Sequence, residues 1–246
     1  MIKRLFNDEI YTCQACDGGQ WQKDVTNTII SIEGIDQRCY CYSVNSYLDA
    51  NIGYDYQQIE VGSWTGYKDD LAKITRFFPK IDELKEQGRG FYIYSNDYGV
   101  GKTALANIFL KEAIGNGYTG LFIPFSELVI LNSKIINSWR SEAVLEKSIQ
   151  LIKNVDFLVL DDLAKEYDNN RDNGRATLNT ILRYRDLWRK PTLYTSNVPL
   201  DAISEKYGGS NHSIIEGRST IIEVHSKKSI RQHRKTTQEN ADLEEN

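Results

Sequence analysis

Phe91-Tyr92-Ile93-Tyr94-Ser95-Asn96-Asp97-Tyr98-Gly99-Val100-Gly101-Lys102-Thr103 changes character partway along. Phe91 to Tyr94 is an apolar run that reads as a buried strand. A polar, glycine-bearing turn follows, and Thr103 to Asn116 reads as a helix ended by Gly117. Strand, glycine-rich loop and helix in immediate succession are the context in which backbone N–H groups cradle phosphate. The candidate binding residues are Asn96, Asp97, Tyr98, Gly99, Val100, Gly101, Lys102 and Thr103. Gly99 and Gly101 let the backbone approach an anion with no Cβ in the way, and the exposed N–H groups of the helix start add positive potential. Lys102 can reach the β- and γ-phosphates of a nucleotide, and the Thr103 hydroxyl can ligate Mg²⁺. Asn96 stands where the pattern has glycine; Asn is among the residues that best tolerate positive φ.

Downstream, Phe157-Leu158-Val159-Leu160-Asp161-Asp162 is an apolar strand ending in two carboxylates. In a parallel sheet it delivers Asp161 to the carboxyl edge beside the phosphate loop. Asp161 is the expected Mg²⁺ holder, and Asp162 the group that orients or deprotonates an attacking water. Thr195-Ser196-Asn197 ends a further strand. Asn197 there can hydrogen-bond a γ-phosphate or the water, or simply form the turn before Pro199. Leu121–Ile123 and Ile221–Val224 read as strands, and the stretch around Leu178–Leu187 as a helix; Ser126 is a candidate helix cap. Strands separated by helices predict right-handed crossovers, and so an α/β fold with a central, mostly parallel sheet.

The four cysteines, Cys13, Cys16, Cys39 and Cys41, all fall in the first 41 residues. Two pairs of thiolates suit tetrahedral Zn²⁺, and a module this small gains folding energy from a metal. Residues 1–50 are therefore read as a zinc-binding module, 51–74 as a glycine- and aromatic-bearing linker, and 233–246 as a flexible charged tail. Apolar positions at spacings of three and four over 69–87 predict a helix that Pro79 breaks or kinks.

Of the 246 residues, 40% are apolar and 26% charged, and net charge is −4. The surface as a whole is no electrostatic trap for nucleic acid, so any such contact needs a local basic patch. No stretch approaches the roughly 18 apolar residues of a membrane span, and no signal peptide is evident. The expected location is cytoplasmic, with no membrane partner.

The loop, the Asp161-Asp162-Leu163 strand end, the helix Ile181-Leu182-Arg183-Tyr184-Arg185, and Lys190-Pro191-Thr192…Thr195-Ser196-Asn197 together resemble DnaC/DnaI-type helicase loaders and the related IstB-type transposition ATPases. The resemblance implies an AAA+ ATPase domain over residues 75–232, using ATP and Mg²⁺. It places Lys102 and Thr103 in Walker A, Asp161 and Asp162 in Walker B, and Asn197 at sensor 1. Arg218 looks like the arginine finger that completes a neighbour's site, and Arg231 like the sensor-2 arginine. The implied partners are a DnaB-type replicative helicase docked on the zinc module, single-stranded DNA, and further copies of the chain assembled through AAA+ interfaces. Lys134 to Arg140, with Trp139, is either a DNA contact or a helix face. Trp21, Tyr40 and Tyr42 are either docking anchors or the module's core. Two alternatives stay open: an IstB-like regulator acting on duplex DNA, and a non-hydrolysing nucleotide-dependent adaptor.

Overall fold

Residues 29–32, 35–38, 47, 49–137, 143–165 and 171–225 are described by a computed structural model. The cysteine positions, Trp21, Tyr40, Tyr42, Trp139 and Arg231 lie outside the described residues, as do the side chains of Lys134 to Arg140. The zinc reading and the sensor-2 reading fall there.

Strands β1 (Ile29–Ile32) and β2 (Ile35–Arg38) pair antiparallel. Helices α1 (Tyr54–Gln57), α2 (Lys68–Thr75) and α3 (Ile81–Gln87) follow. Pro79 lies in a short 3₁₀ turn, Phe78–Lys80, that separates α2 from α3. The helical pattern over 69–87 is thus two helices, split where the proline ring removes an N–H donor. Then come β3 (Gly90–Tyr94), α4 (Lys102–Gly115), β4 (Gly120–Pro124), α5 (Phe125–Asn137), α6 (Ala143–Asn154), β5 (Phe157–Leu163), α7 (Arg171–Leu187), β6 (Thr192–Ser196), α8 (Leu200–Tyr207), α9 (Gly209–Arg218) and β7 (Ser219–Glu223). Ser126 lies inside the first turn of α5, so it does not cap that helix as expected.

β3 to β7 form one parallel sheet in the order β4-β5-β6-β3-β7. Alternation along each strand sends side chains to opposite faces. Phe91, Ile93, Phe122, Phe157, Val159 and Leu193 join one buried cluster with α4, while Tyr92, Leu121, Ile123, Leu158, Leu160 and Tyr194 join another with α5, α7 and α8. Both faces are covered, which explains why the strands read as continuous apolar runs. Eleven of the fourteen residues of α4 are buried. That helix is apolar nearly all round because it lies between the sheet and the segment that precedes it.

The stretch 51–74, expected as a linker, is anchored to the core at both ends. Ala50, Ile52 and Ile74 are buried in the α4-side cluster. Phe122 N–H donates to Ala50 O, and the Asn51 amide donates to Phe122 O, so this segment covers the edge of β4. The Lys111 ammonium of α4 donates to the carbonyls of Gln57 and Ile59. Aromatic and glycine content suggested a linker, but the isolated Ile52, and Ile74 from the helical pattern over 69–87, fill sites beside the sheet.

Among the described residues, Arg185 is the largest fully buried side chain. Its Nε donates to Thr192 Oγ1, and its two terminal nitrogens donate to the carbonyls of Ile152, Lys153, Val155, Asp156 and Pro191. It thereby satisfies the carboxyl end of α6 and joins it to β5 and β6. Burial lowers its pKa to about 9.

Candidate functional site

The sheet order makes β3 the point where the chain path divides. β3 is followed in sequence by β4 at the far edge, while its spatial neighbours are β6 and β7. A crevice at such a carboxyl edge is where open α/β sheets hold ligands. Here it is a cleft of about 390 Å³ lined by the loop Tyr98–Thr103, Asp162, Lys165 and Asn197, together with Asp55, Tyr56 and Ile59.

The loop between β3 and α4 turns through Gly99 at φ +74° and Gly101 at φ +98°. A side chain at either position would be strained, so the sequence's glycines fall where the backbone requires them. The Lys102 ammonium donates to Ser95 O at 3.3 Å and to Asp97 O at 2.7 Å. Burial lowers its pKa to about 8, against an opposing pull from Asp162. A partly desolvated cation on a loop of this shape is strongly attracted to an anion.

Asp161 is 7% exposed. Burial raises its pKa, while hydrogen bonds from Thr195 and Thr103 work against the rise. Thr195 Oγ1 donates to Asp161 Oδ1 at 2.6 Å and accepts from the Asp162 N–H at 2.9 Å. Asp162 has φ +56°, at an irregularity in the β5–β6 register between Leu160 and Leu163. The bulge lets two successive acids serve one site: Asp161 turns inward beside Thr103, and Asp162 lines the cleft. Asp162 Oδ2 pairs with the Lys165 ammonium at 2.8 Å.

The structure thus brings together Lys102, Thr103, Asp161, Asp162 and Asn197. Asn96 and Asp97 belong to the loop and are exposed, and Asp97 contributes through its carbonyl. Arg218 is elsewhere. It ends α9, where Ser219 pairs with Gly90 at the start of β3, so a strand length of about 15 Å separates it from the loop. There its Nε donates to Asp186 Oδ1 at 2.6 Å and its Nη1 to Gln87 O at 3.0 Å.

Several residues that shape the cleft were missed from sequence. Thr195 was read only as strand, although a threonine paired across from an acidic strand end is the available signal. Asp55, Tyr56 and Ile59 lay in the supposed linker. Lys165 follows the acids by three residues, and only the positive-φ turn at Asp162 and Ala164 directs it back to them.

The donor set fits a phosphate chain with a hard divalent cation. An ammonium on a glycine loop suits phosphate oxygens, and a hydroxyl bonded to a buried carboxylate supplies two oxygen ligands of the kind Mg²⁺ prefers. Among the described residues no helix is long and apolar enough to cross a membrane, and no group of three or more His, Cys, Asp or Glu is arranged to hold a metal.

No protein-family model matches the chain, and no curated protein does. Solved structures do. The crystal structure of the DnaC helicase loader superposes with a TM-score of 0.62 at 22% identity, over 70% of this chain and 100% of that one. DnaI gives 0.59 at 22%, over 71% and 95%. AMPPCP-bound DnaA from Aquifex aeolicus gives 0.56 at 17%, over 71% of this chain and 52% of that one. The chain therefore shares its fold, a five-stranded parallel sheet with helices on both faces, with these structures.

Proposed function

We propose that the chain is a Mg²⁺-dependent ATPase that binds a DnaB-type replicative helicase and helps to put it on single-stranded DNA. The observation that carries this reading is the convergence of Lys102, Thr103, Asp162 and Asn197 on one cleft, with the buried Asp161 beside Thr103, in a fold that matches a helicase loader over that loader's full length.

Within the cleft Lys102 binds phosphate oxygens and the loop amides orient the chain of phosphates. Thr103 and Asp161 would hold Mg²⁺, which supplies charge neutralisation on the phosphates. Asp162 orients the attacking water and receives its proton, and Asn197 fixes the water or the terminal phosphate. Arg218 belongs to a different edge of the sheet and acts on the cleft of a neighbouring copy. Residues 1–50 carry zinc on Cys13, Cys16, Cys39 and Cys41 and dock the helicase.

The test is co-purification of the full chain with a replicative DnaB-type helicase, alongside a Cys13→Ser, Cys39→Ser variant with its metal content measured. Retention of the helicase by the parent protein, and loss of both zinc and helicase in the variant, supports the reading. A parent protein that binds nucleotide but no helicase leaves the ATPase and removes the loader. The pairing of Asp162 with Lys165 favours one competing reading, a non-hydrolysing adaptor. ATP turnover in the presence of helicase and single-stranded DNA separates the two.

A further inference from the structure

The cleft holds a second ammonium besides that of Lys102. Lys165 leaves β5 through a turn in which Asp162 has φ +56° and Ala164 φ +75°. Left-handed backbone at two non-glycine residues costs roughly 1 kcal/mol or more at each, and persists only where surroundings hold it. Four contacts do so: Thr195 Oγ1 accepts from Asp162 N, Ser196 Oγ donates to Leu163 O, Tyr207 Oη accepts from Ala164 N, and Lys206 Nζ donates to Ala164 O. Lys165 N–H then bonds back to Asp162 O. The turn therefore fixes where the Lys165 backbone sits, and the side chain reaches back to Asp162.

That side chain lines the cleft. Its ammonium is 2.8 Å from Asp162 Oδ2 and lies 5.9 Å over the ring centre of Tyr98 in the phosphate loop. Both partners of the ion pair are substantially exposed, at 48% and 38%. Such a pair is weak and easily exchanged. A terminal phosphate carries more charge than a carboxylate and more oxygens to accept hydrogen bonds, so it is the stronger partner for an ammonium within reach.

We propose that Lys165 reads the terminal phosphate of a bound nucleoside triphosphate: it exchanges Asp162 for that phosphate and so frees the Asp162 carboxylate for the attacking water. The inference rests on the reading of the cleft as a nucleotide site. In the step so enabled, the water oxygen bonds to the γ-phosphorus as the bond to the β,γ-bridging oxygen breaks. The electron pair leaves with the diphosphate, and the water proton passes to Asp162. Lys165 gives the site a positive charge from its own subunit, which the spacing of the sequence motifs did not reveal. With a diphosphate bound, Lys165 returns to Asp162 and the base is occupied.

The experiment measures the affinity of the full chain for Mg²⁺-ADP and for a non-hydrolysable Mg²⁺-ATP analogue. The proteins are the parent, Lys165→Met, Lys165→Arg, Asp162→Asn and the Lys165→Met/Asp162→Asn double variant. Lys165→Met should leave ADP affinity within about twofold and weaken the triphosphate about tenfold, whereas Lys165→Arg should keep the preference. Asp162→Asn should tighten triphosphate binding more in the parent background than beside Lys165→Met, a coupling between the two positions. Equal effects of Lys165→Met on both nucleotides, no effect on either, or strictly additive behaviour of the double variant overturns the proposal. A parent protein that binds neither nucleotide overturns the cleft reading and this proposal with it; a parent that binds both, with Lys165→Met indistinguishable, overturns this proposal alone.

Discussion

Thr195 holds Asp161 by a 2.6 Å hydrogen bond inside the sheet, and both residues are almost fully buried. The same hydroxyl receives the N–H of Asp162, so one side chain sets the positions of two acids. Thr195→Val keeps the shape and removes the hydroxyl. The expected cost is about 1–3 kcal/mol in urea unfolding, because a buried carboxylate loses a partner. Nucleotide binding in Mg²⁺ should weaken about tenfold, with a smaller change in EDTA. Thr195→Ser should recover most of both. A valine variant with parental affinity in Mg²⁺ contradicts the assignment of Asp161.

Lys102→Ala should weaken ATP binding at least about tenfold, or 1.4 kcal/mol, as read by a fluorescent ATP analogue. The parent protein should also show a defined pH dependence, since burial brings the Lys102 pKa down to about 8. Phosphate favours the charged form. Below pH 8 the ammonium is charged in both free and bound protein, and affinity is flat. Above pH 8 the free protein has lost a proton that the complex retains, so affinity falls by up to about tenfold per pH unit and binding takes up a proton. Folding has the opposite sign. The unfolded side chain titrates at the ordinary 10.5, so above pH 8 the unfolded chain binds more protons and this group's contribution to stability rises. Calorimetry in buffers of different ionisation enthalpy measures the proton uptake directly.

Arg218 sits a strand's length from the loop of its own subunit, held by Asp186 and Gln87. Arg218→Ala should leave ATP binding nearly intact and remove the hydrolysis stimulated by helicase or single-stranded DNA. Arg218→Ala and Asp162→Asn should each be inactive alone. Mixed, they should regain turnover, because some interfaces then hold both intact groups. No recovery despite demonstrated co-assembly means that Arg218 does not act in trans. Arginine fingers are worth about 10³–10⁵ in rate in well-studied systems, so even about tenfold stimulation is readable.

Arg185→Met should be among the most damaging single changes in the core. It removes a donor from five carbonyls and the Thr192 hydroxyl; of the five, Pro191 O still accepts from the Leu158 N–H. Losses of about 3–5 kcal/mol are typical when one partner of a buried charged network is removed. Lysine should rescue only weakly, since a single ammonium cannot span that fork. An Arg185→Met protein with an unchanged melting temperature would show that α6 is held by packing alone.

Much of this was readable from residue order. Phe91–Tyr94 and Phe157–Leu160 announced buried strands because both faces of a parallel sheet are covered. Gly99 and Gly101 announced a loop because the turn needs positive φ there. Asp162 carried the opposite message: nothing in the sequence indicates that an aspartate takes φ +56°. That bulge separates the two acids and turns Lys165 back. Ile52 was not legible as core, since it is an isolated apolar residue among polar and aromatic neighbours, and only the packing against α4 and β4 gives it a place; Ile74, by contrast, belonged to the helical pattern over 69–87. Arg185 read as part of a helix motif, with no local sign that its charge would be surrounded by backbone.

The segment running over the rim of β4 has a mechanical consequence. The Ala50 carbonyl and the Asn51 side-chain amide grip the backbone of Phe122, and a few residues later Gln57 and Ile59 are clasped by Lys111 on the helix that opens with Lys102. Tension applied to the chain ahead of Tyr47 therefore runs along a taut strap: it loads the sheet's outermost strand first, and through Lys111 it tugs the very helix that presents the phosphate loop. Cutting the protein after residue 50 takes away the Ala50 carbonyl that holds Phe122. It slackens the strap.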